Sequence, residues 1–534
     1  MADILLNRRA IVGGALAAPF AALPASVFAQ GDADKKGGTT YNALVFPEPP
    51  SLILALDQNT PTQVVAGKIY ESLLTYDFDF TPKPGLAKSW EISPDGLTYT
   101  FKLHENVKWH DGQPFTADDV VFSTQEMLMQ VHPRARAIFE NCKSIEAVDK
   151  HTVRFVLKQV FAPFILGFET STAPMMPAHI YRGSDYRTNP ANAKPIGTGP
   201  FKLVEWRRGS FIRLARNADY YVAGQPFIDD LYFHIIPDAA SRSLAVEQGK
   251  VQQATSGHFE SFDVKRLLAL PTVQTTTRGF EFTAPVVRVE FNTRVKPFDD
   301  KRFRQAINYA LDRRFISNAV FAGLAKPATG PLNSRTKFYD AKAGGYGLDE
   351  AKARALLDEM GLKPDASGVR ARISLLRLPI GETYDRLAEY IKQALRKVGI
   401  EVALESADFA TWTTRYGNWD FQMTITLPNQ FGDPALGLTR FFVTSNIRKG
   451  VAFSNCTGYS NPKIDGLFAK GASTIADGER QAVYSEIQKI LIDEAPMAWL
   501  IEPQQHVLIS KQFRDCIVSA IGVCESYREA RKAA

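Results

Sequence analysis

The first half of the chain alternates apolar and polar residues in short runs, which is the pattern of β-strands with one buried face. Residues 97–103 and 151–157 each follow this alternation. A turn precedes the first run, because Pro94 presets φ and Gly96 can take the left-handed conformation. Between the two runs, Thr116 with an acidic residue three positions later is typical of a helix start. We therefore predict a strand-rich first half with a helix between two strands.

In the second half the hydrophobic period changes to that of helices that alternate with strands. The apolar residues that share one helical face after residue 300 are Phe303, Ala306, Ile307, Ala310 and Leu311. A further helix is predicted from Asp349 to Gly361. A strand over residues 373–376, a helix with apolar positions over 387–398 and a strand over 400–404 then follow one another. This order predicts a βαβ unit and an α/β lobe.

Length and composition define the class of protein. The 534 residues are 45% hydrophobic and 22% charged, which excludes disordered, collagen-like and disulfide-scaffold proteins. A single core stops growing at roughly 250–300 residues, so at least two lobes are expected. The 63 basic and 57 acidic residues give a net charge of +6 without long runs, so nucleic-acid binding is not expected.

Residues 1–29 have the features of a cleavable export signal. Arg8 and Arg9 precede an Ala-rich apolar run, and Val27 and Ala29 fit the positions that signal peptidase recognises. The arginine pair also resembles a twin-arginine (Tat) signal, with an ordinary Sec signal as the alternative. No cysteine lies at the cleavage site, so a lipid anchor is not expected. We predict a periplasmic protein that begins at or near Gln30.

Export affects the interpretation of the four cysteines. Cys516 and Cys524 are eight residues apart and are candidates for a disulfide in an oxidising compartment, with buried free thiols as the alternative. The sequence does not establish whether Cys142 and Cys456 are paired or free. No CxxC motif occurs, so redox or zinc chemistry has little support.

Motifs of enzymes are largely missing. The chain has no GxSxG, phosphate-binding loop or HExxH motif, and residues 334–337 match SxxK without its companion motifs. Met175, Met176 and His179 could be soft metal ligands, although packing methionines are commoner in such a loop. We therefore expect neither an enzyme nor a metal site, and no cofactor.

Aromatic residues cluster late in the chain, close to two amide side chains. The rings are Trp412, Tyr416, Trp419, Phe421 and Phe431, and the amides are Asn429 and Gln430. Rings beside amides suit a pocket that recognises a ligand. The same rings would also pack as an ordinary core helix and strand, and the residues alone leave both readings open.

Two longer segments carry a resemblance to a known family. Residues 86–103 and 107–123 closely resemble the signature region of the peptide-type solute-binding proteins of ABC transporters, family 5. Further segments that match in the same order are residues 197–201, 217–221, 291–293 and 297–312. The resemblance covers essentially all of the chain after the predicted signal peptide.

The resemblance implies an α/β, two-lobed periplasmic-binding-protein fold of the large type, with an extra β-rich subdomain. Lobe I would comprise residues 30–287 and 502–534, with the subdomain inserted at about residues 55–190, and lobe II residues 288–501. Strands that cross between the lobes would act as the hinge.

The implied function is that of the extracytoplasmic substrate-binding component of an ABC importer. Such a protein captures a small ligand, here a peptide or peptide-like solute, and delivers it to permease subunits in the inner membrane. A monomer is expected. The alternatives are an opine-, oligosaccharide- or metal-chelate-type ligand in the same fold. A secreted hydrolase is the alternative from another class, but it would need a nucleophile–base pair that the sequence does not offer.

The resemblance also implies a set of ligand contacts. The predicted ligand-binding residues are Phe46, Glu48, Trp412, Asn429, Gln430, Phe431 and Asp433. Alignment on Asp433 and Pro434 puts Gln430 where peptide-binding relatives hold an amino terminus with Asp, and an amide cannot neutralise an ammonium group. The arginine that dipeptide binders place after a strand-ending proline looks absent at Pro379, although Arg377 lies nearby. These departures favour a neutral polar or differently charged ligand.

Overall fold

The computed structural model of this chain describes residues 38–533. Every element below belongs to the unit Thr39–Ala534. The signal peptide predicted over residues 1–29, with its arginine pair, lies outside the described residues.

The strands, in chain order, are β1 (Thr40–Leu44), β2 (Leu74–Tyr76), β3 (Pro82–Pro84), β4 (Ala87–Ile92), β5 (Thr98–Leu103), β6 (Cys142–Asp149), β7 (Thr152–Leu157), β8 (Phe201–Arg207), β9 (Phe211–Arg216), β10 (Asp230–His234), β11 (Gln253–Thr255), β12 (Val273–Thr276), β13 (Val287–Phe291), β14 (Ala325–Pro327), β15 (Ala371–Leu376), β16 (Ile400–Glu405), β17 (Met423–Thr426), β18 (Met497–Pro503), β19 (Val507–Ser510), β20 (Phe513–Arg514) and β21 (Arg531–Lys532).

The α-helices, in chain order, are α1 (Thr60–Ala66), α2 (Ala117–Val121), α3 (Leu128–Val131), α4 (Pro133–Phe139), α5 (Ala178–Tyr181), α6 (Ala239–Glu247), α7 (Ser261–Leu268), α8 (Lys301–Ala310), α9 (Arg313–Phe315), α10 (Glu350–Glu359), α11 (Glu382–Arg396), α12 (Phe409–Gly417), α13 (Pro434–Gly437), α14 (Pro462–Ser473) and α15 (Asp477–Glu494). Segments of π-helix over Phe122–Met127 and Ile316–Val320 continue α2 and α9.

The first large sheet has seven strands in the order β12-β19-β11-β1-β10-β9-β8. β1 and β10 run parallel, with Thr40 opposite Asp230. β19 is antiparallel to both of its neighbours, β11 and β12. The sheet therefore takes its strands from the N-terminal half of the chain and one strand from near the C-terminus.

The second large sheet has six strands in the order β14-β18-β13-β17-β15-β16. β15 and β16 are parallel, and α11 connects them. The apolar face of α11 is fully buried at Leu387, Ile391 and Leu395, because these residues recur at helical spacing toward the sheet. The βαβ unit predicted from the hydrophobic period is confirmed.

A four-stranded antiparallel sheet, β4-β5-β7-β6, forms the inserted β-rich subdomain. The two alternating runs predicted as strands are β5 and β7, which pair with each other. The rings of Phe101 and Phe155 meet edge to face with centroids 5.7 Å apart. Both rings belong to the same buried core as Tyr41 of β1, so the subdomain and the seven-stranded sheet share one core.

The chain crosses between the two large sheets twice, after β12 and after β18. Each large sheet has its own core, and the second core includes the fully buried Val289 of β13. This arrangement is the two-lobed fold that the family resemblance implied. The exact lobe boundaries that the resemblance implied stay a prediction.

Helix boundaries follow the local signals in the sequence. Asp349 caps α10 by accepting a hydrogen bond from the Lys352 amide at 2.8 Å. Gly361 and Gly399 follow α10 and α11 with φ of +76° and +87°, a left-handed conformation that glycine adopts at low cost. The predicted ends of both helices are therefore confirmed.

The candidate disulfide between Cys516 and Cys524 is wrong in this structure, where Cys142, Cys456, Cys516 and Cys524 are all free thiols. Cys516 Sγ donates to the Arg514 carbonyl at 3.5 Å, whereas Cys524 ends a short 3-10 segment. Burial raises the pKa of the Cys516 thiol and of the Cys524 thiol to about 11. Sequence separation did not reveal that each sulfur is packed among neighbours of its own.

Membrane-spanning helices and metal-binding clusters are both missing from the part of the chain that the structure describes. Within residues 38–533, no helix is long and apolar enough to cross a membrane. The same residues contain no group of three or more His, Cys, Asp and Glu side chains placed to hold a metal ion. Met175 and Met176 are fully buried, and His179 Nε2 lies 2.7 Å from Asp111 Oδ2.

Candidate functional site

A cavity of about 620 Å³ lies between the two lobes, a volume typical of small-molecule sites. The first lobe contributes the segment after β1, the start of α6 and the loop before α7. The second lobe contributes the loop before α11 and the end of β18. Prominent lining side chains are Phe46, Arg242, Phe259, Phe321, Ile380 and Tyr384.

Phe46 forms part of the first wall of this cavity. Its ring is 37% exposed and lies 4.0 Å from the guanidinium carbon of Arg242, a cation–π contact. Arg242 is held by three backbone carbonyls, those of Ile236, Pro237 and His258, at 2.6–2.9 Å. Its donors are thus largely used inside the first lobe, and its main contribution to the cavity is a flat cationic surface.

The lobes touch beside this cavity. Ser261 Oγ of α7 and Thr383 Oγ1 of α11 lie 3.2 Å apart. Arg386 and Glu260 form a longer ion pair, at 3.9 Å, across the same boundary. These contacts involve the N-terminal ends of two helices that belong to different lobes, so they are of the kind that a hinge motion would make and break.

A second cavity, of about 390 Å³, lies between the inserted subdomain and the second lobe. Phe80, Tyr99 and Leu166 line it from the subdomain, and Asp433 and Arg480 from the second lobe. At this cavity the subdomain and the second lobe are in close contact, because a Cβ atom on Gly432 would lie 2.8 Å from the Phe80 ring.

Phe431, next to this contact, is surrounded by arginines. The guanidinium carbons of Arg134 and Arg440 lie 4.6 and 5.2 Å from the centre of its ring. Arg134 belongs to the subdomain and Arg440 to the second lobe. Burial lowers the pKa of Arg440 to about 10, and the positive charges of Arg288 and Arg134 act in the same direction.

Gln430 lies beside Phe431, but its amide is not free. Oε1 accepts hydrogen bonds from the Asn333 amide at 3.2 Å and from Thr336 Oγ1 at 2.9 Å. Nε2 donates to the Pro331 carbonyl at 2.9 Å. The side chain is 3% exposed, and its hydrogen bonds hold the 331–336 loop; its predicted contact with a ligand stays a prediction.

Asp433 is similarly engaged. Its Oδ1 accepts from Arg480 at 2.8 Å and from the Ala435 amide at 2.9 Å, at the start of α13. Burial raises the pKa of Asp433, and the neighbouring Arg480 opposes that rise. The buried pair forms part of the wall of the second cavity.

The remaining predicted residues divide between packing and exposure. Trp412 is buried on α12 and donates from Nε1 to Thr424 Oγ1 at 3.0 Å. Glu48 accepts from Trp206 Nε1 at 2.9 Å and the Gly209 amide at 3.0 Å, within the first lobe. Asn429 is half-buried, and its side chain has no hydrogen bond to any other residue of the 38–533 range.

Of the predicted residues, Phe46 lines the cavity between the two lobes and Asp433 lines the second cavity. The sequence patterns did not identify Arg134 or Arg440 as candidate site residues. The signal that could have found Arg440 is its position directly before the apolar run over residues 441–443, where a buried guanidinium group requires a partner.

Comparison with known proteins identifies similar chains over most of the length. A family model described as "Bacterial extracellular solute-binding proteins, family 5 Middle" matches residues 81–455. The di/tripeptide-binding protein 2 of Pseudomonas aeruginosa is 31% identical over 445 residues, 79% of this chain and 81% of the relative. The heme-binding protein A of Haemophilus influenzae is 29% identical over 471 residues, 84% of this chain and 83% of the relative.

Solved structures are similar over nearly the whole described chain. A periplasmic binding protein from A. tumefaciens R10, in complex with agropinic acid, superposes with a TM-score of 0.77 at 25% identity. The superposition covers 93% of this chain and 99% of that structure.

Proposed function

Because the chain belongs to family 5 of the bacterial extracellular solute-binding proteins, we propose that its lobes enclose a peptide or peptide-like solute for an ABC importer. The observation that carries the proposal is the 620 Å³ cavity lined by both lobes. Neither lobe alone encloses this space, so a solute bound there would be desolvated by both walls and would stabilise lobe contact.

The relatives support a small ligand but differ in its chemistry. The relative with the highest identity quoted above carries di/tripeptide binding in its name, which favours a peptide. Agropinic acid in the superposed structure and heme in the name of another relative keep opine-type and metal-chelate ligands as alternatives, beside an oligosaccharide. The 620 Å³ volume is within the range of small-molecule sites, which suits a short peptide or a solute of similar size.

The proposal includes no catalysis. The relatives are binding proteins, and the SxxK residues are held by separate partners. Ser334 Oγ donates to Glu502 at 2.5 Å, and Lys337 pairs with Asp477 at 2.7 Å. A Ser–Lys nucleophile would need these two side chains to bond to each other.

Export and assembly complete the proposal. A signal peptide over residues 1–29, which the arginine pair suits to the Tat route, would release a periplasmic protein that begins near Gln30 and carries no lipid anchor. This protein would act as a monomer that delivers its solute to the permease subunits in the inner membrane.

The test is to identify what the protein binds when it is isolated from its own periplasm. We expect denaturation of the protein to release a small solute that mass spectrometry identifies. Calorimetric titration of the emptied protein with that solute should then show one binding site per chain. The recovered solute should be chemically unchanged after prolonged incubation. Binding of no solute, or conversion of the solute to a product, would contradict the proposal.

A further inference from the structure

Three arginines meet where the inserted subdomain contacts the second lobe, and they are called the arginine cluster below: Arg134, Arg288 and Arg440. Arg440 stands over two rings, with its guanidinium carbon 5.2 Å from the Phe431 centroid and 4.5 Å from that of Phe441. Arg288 lies 4.0 Å from the same Phe441 ring. The cluster therefore extends from one lobe to the other through stacked aromatic faces.

Arg288 already has its counter-charge. Its guanidinium donates to Glu290 Oε1 at 2.8 Å from one nitrogen and at 3.1 Å from another. Glu290 also accepts from Tyr416 and Thr426. This part of the cluster is a satisfied buried ion pair and needs no ligand.

Arg134 is only partly satisfied. One terminal nitrogen donates to the Ser171 carbonyl at 2.6 Å and lies 3.6 Å from Glu169 Oε1. Its Nε is buried and has no hydrogen-bond partner. The carboxylate oxygens of Glu169 accept hydrogen bonds mainly from Ser171 and Thr172.

Arg440 has no polar partner at all in the part of the chain that the structure describes. Its Nε is buried and unsatisfied, and no carboxylate lies within ion-pair distance. Its contacts are the two rings. A buried donor without an acceptor is unfavourable, and because Arg440 is only half-buried, part of its side chain stays accessible to a ligand that could supply the acceptor.

The charges around the cluster do not balance. Three guanidinium groups face two carboxylates, Glu169 and Glu290, which leaves one positive charge without a counter-charge. The missing partner is therefore a single negative charge that can accept hydrogen bonds in the plane of a guanidinium group.

We propose that Arg134 and Arg440 bind a carboxylate group of the transported solute beside Phe431. A singly charged carboxylate fits the one surplus charge, whereas a phosphate dianion would exceed it. The two arginines come from opposite sides of the lobe contact, so one carboxylate would link the lobes. This inference rests on the proposed function and names the chemical class of its ligand, a carboxylate-bearing solute.

The first test needs no mutation. Wild-type protein, emptied of bound solute, is titrated at constant ionic strength with a panel of peptides, opine-type acids and other small carboxylates, each paired with its primary amide. We expect each acid that binds to bind more than about tenfold tighter than its amide, the effect of one charge-assisted hydrogen-bond pair. Equal affinity within the pairs, or binding of neutral and cationic solutes alone, would overturn the carboxylate site and leave the proposed function intact. If no solute of any kind binds, both fail.

The second test uses Arg440→Gln and Arg440→Lys, with Arg187→Gln as the control for loss of one positive charge at an exposed position. Arg440→Gln should weaken the binding of acids more than about tenfold without changing the amides, and Arg440→Lys should recover part of it. The ligand-free Arg440→Gln protein should melt no lower than the wild type, because the variant removes a charge that has no ion-pair partner among the described residues. Unchanged affinity of Arg440→Gln for the acids would contradict the proposal. If the variant does not fold, Arg440→Lys and the acid–amide comparison decide.

Discussion

At the scale of single residues, Glu71 is a carboxyl group buried inside the first lobe. It accepts hydrogen bonds from Tyr220 at 2.6 Å, Thr198 at 3.0 Å and Tyr221 at 3.3 Å. Burial raises its pKa to about 7, against which these hydrogen bonds act. The folded protein therefore holds a proton on Glu71 at pH values where the unfolded chain has released it.

We predict that Glu71 makes the protein less stable as the pH rises. Its pKa is higher in the folded state, so its contribution is fully present below the unfolded value near 4.5 and is lost as the pH rises through about 7. Glu71→Gln should abolish this loss, which amounts to up to about 3 kcal/mol of unfolding free energy. Urea denaturation at pH 5 to 8 measures it, with the exposed Glu91→Gln as control. A wild type and Glu71→Gln whose stabilities change in parallel with pH would contradict the prediction.

Gln430 illustrates what sequence reasoning can and cannot give about one side chain. The ordering of residues around Asp433 was enough to place Gln430 close to the lobe contact. Its hydrogen-bond partners, Asn333 and Thr336, lie 97 and 94 residues away along the chain. No local pattern links residues so far apart. Only the structure could therefore show that the Gln430 amide forms hydrogen bonds with the 331–336 loop.

At the scale of elements, α2 begins with two adjacent aspartates in different surroundings. Asp119 is buried, and its two oxygens accept from the Thr116 amide at 2.9 Å and the Ala178 amide at 3.1 Å. Asp118 is exposed and pairs with Arg182 on the surface. Asp119 thus joins the start of the helix to the segment that leads into α5.

We predict that Asp119→Ala lowers the unfolding free energy by about 1–3 kcal/mol, because it leaves the part-buried Thr116 amide and the buried Ala178 amide without an acceptor. Asp118→Ala is the matched control in the same helical turn and should cost less than about 1 kcal/mol, as exposed ion pairs do. Urea titration followed by circular dichroism measures both. Equal losses in the two variants would show that the buried carboxylate does not fix the helix.

Elements defined by neighbouring residues could be predicted, and their pairing could not. The period and caps of α8, α10 and α11 and the alternation of β5 and β7 are local properties. The partner of β1 is β10, about 190 residues later, and nothing in either strand identifies the other. The π-helical segments after α2 and α9 were also missed, since the same residues satisfy an α-helical pattern.

At the scale of the whole molecule, the contact between Phe80 and Gly432 joins the subdomain to the second lobe. Gly432 has φ of +72°, and a Cβ on it would lie 2.8 Å from the Phe80 ring. Gly361 has a similar φ of +76° but nothing within 4 Å of its Cβ position. The two glycines therefore separate backbone strain from the effect of contact between the lobes.

We predict that Gly432→Ala weakens solute binding and Gly361→Ala does not. Both place alanine at positive φ and should each cost about 1–2 kcal/mol of stability. Only Gly432→Ala inserts a methyl group between the lobes, and this should lower the affinity for the released solute about tenfold, because closure contributes to binding. Calorimetry gives the affinity, and small-angle scattering should show a larger radius of gyration for solute-saturated Gly432→Ala than for wild type. Equal affinities of the two variants would refute a role of this contact in closure.

The two-lobed fold could be predicted because a long segment resembles a family of known architecture. The arginine cluster could not, because Arg134 and Arg440 lie about 300 residues apart and meet only when the lobes do. Contacts between lobes depend on rigid-body placement, which local periodicity does not encode.

Because β19 lies between β11 and β12, the first sheet stays open until almost the last residues leave the ribosome. In the β12–β19 pair, the Gln274 side chain donates to the carbonyl of Ser510, which lies 236 residues later in the chain. At 5–20 residues per second, synthesis of that interval takes roughly 10–50 s. Throughout this time the edge of β11 that β19 covers has no partner, and β12, which pairs only with β19, has no strand to join; unpaired strand edges promote aggregation. The first lobe is thus assembled from early and late parts of the polypeptide, and we expect the growing chain to need protection from aggregation during its synthesis.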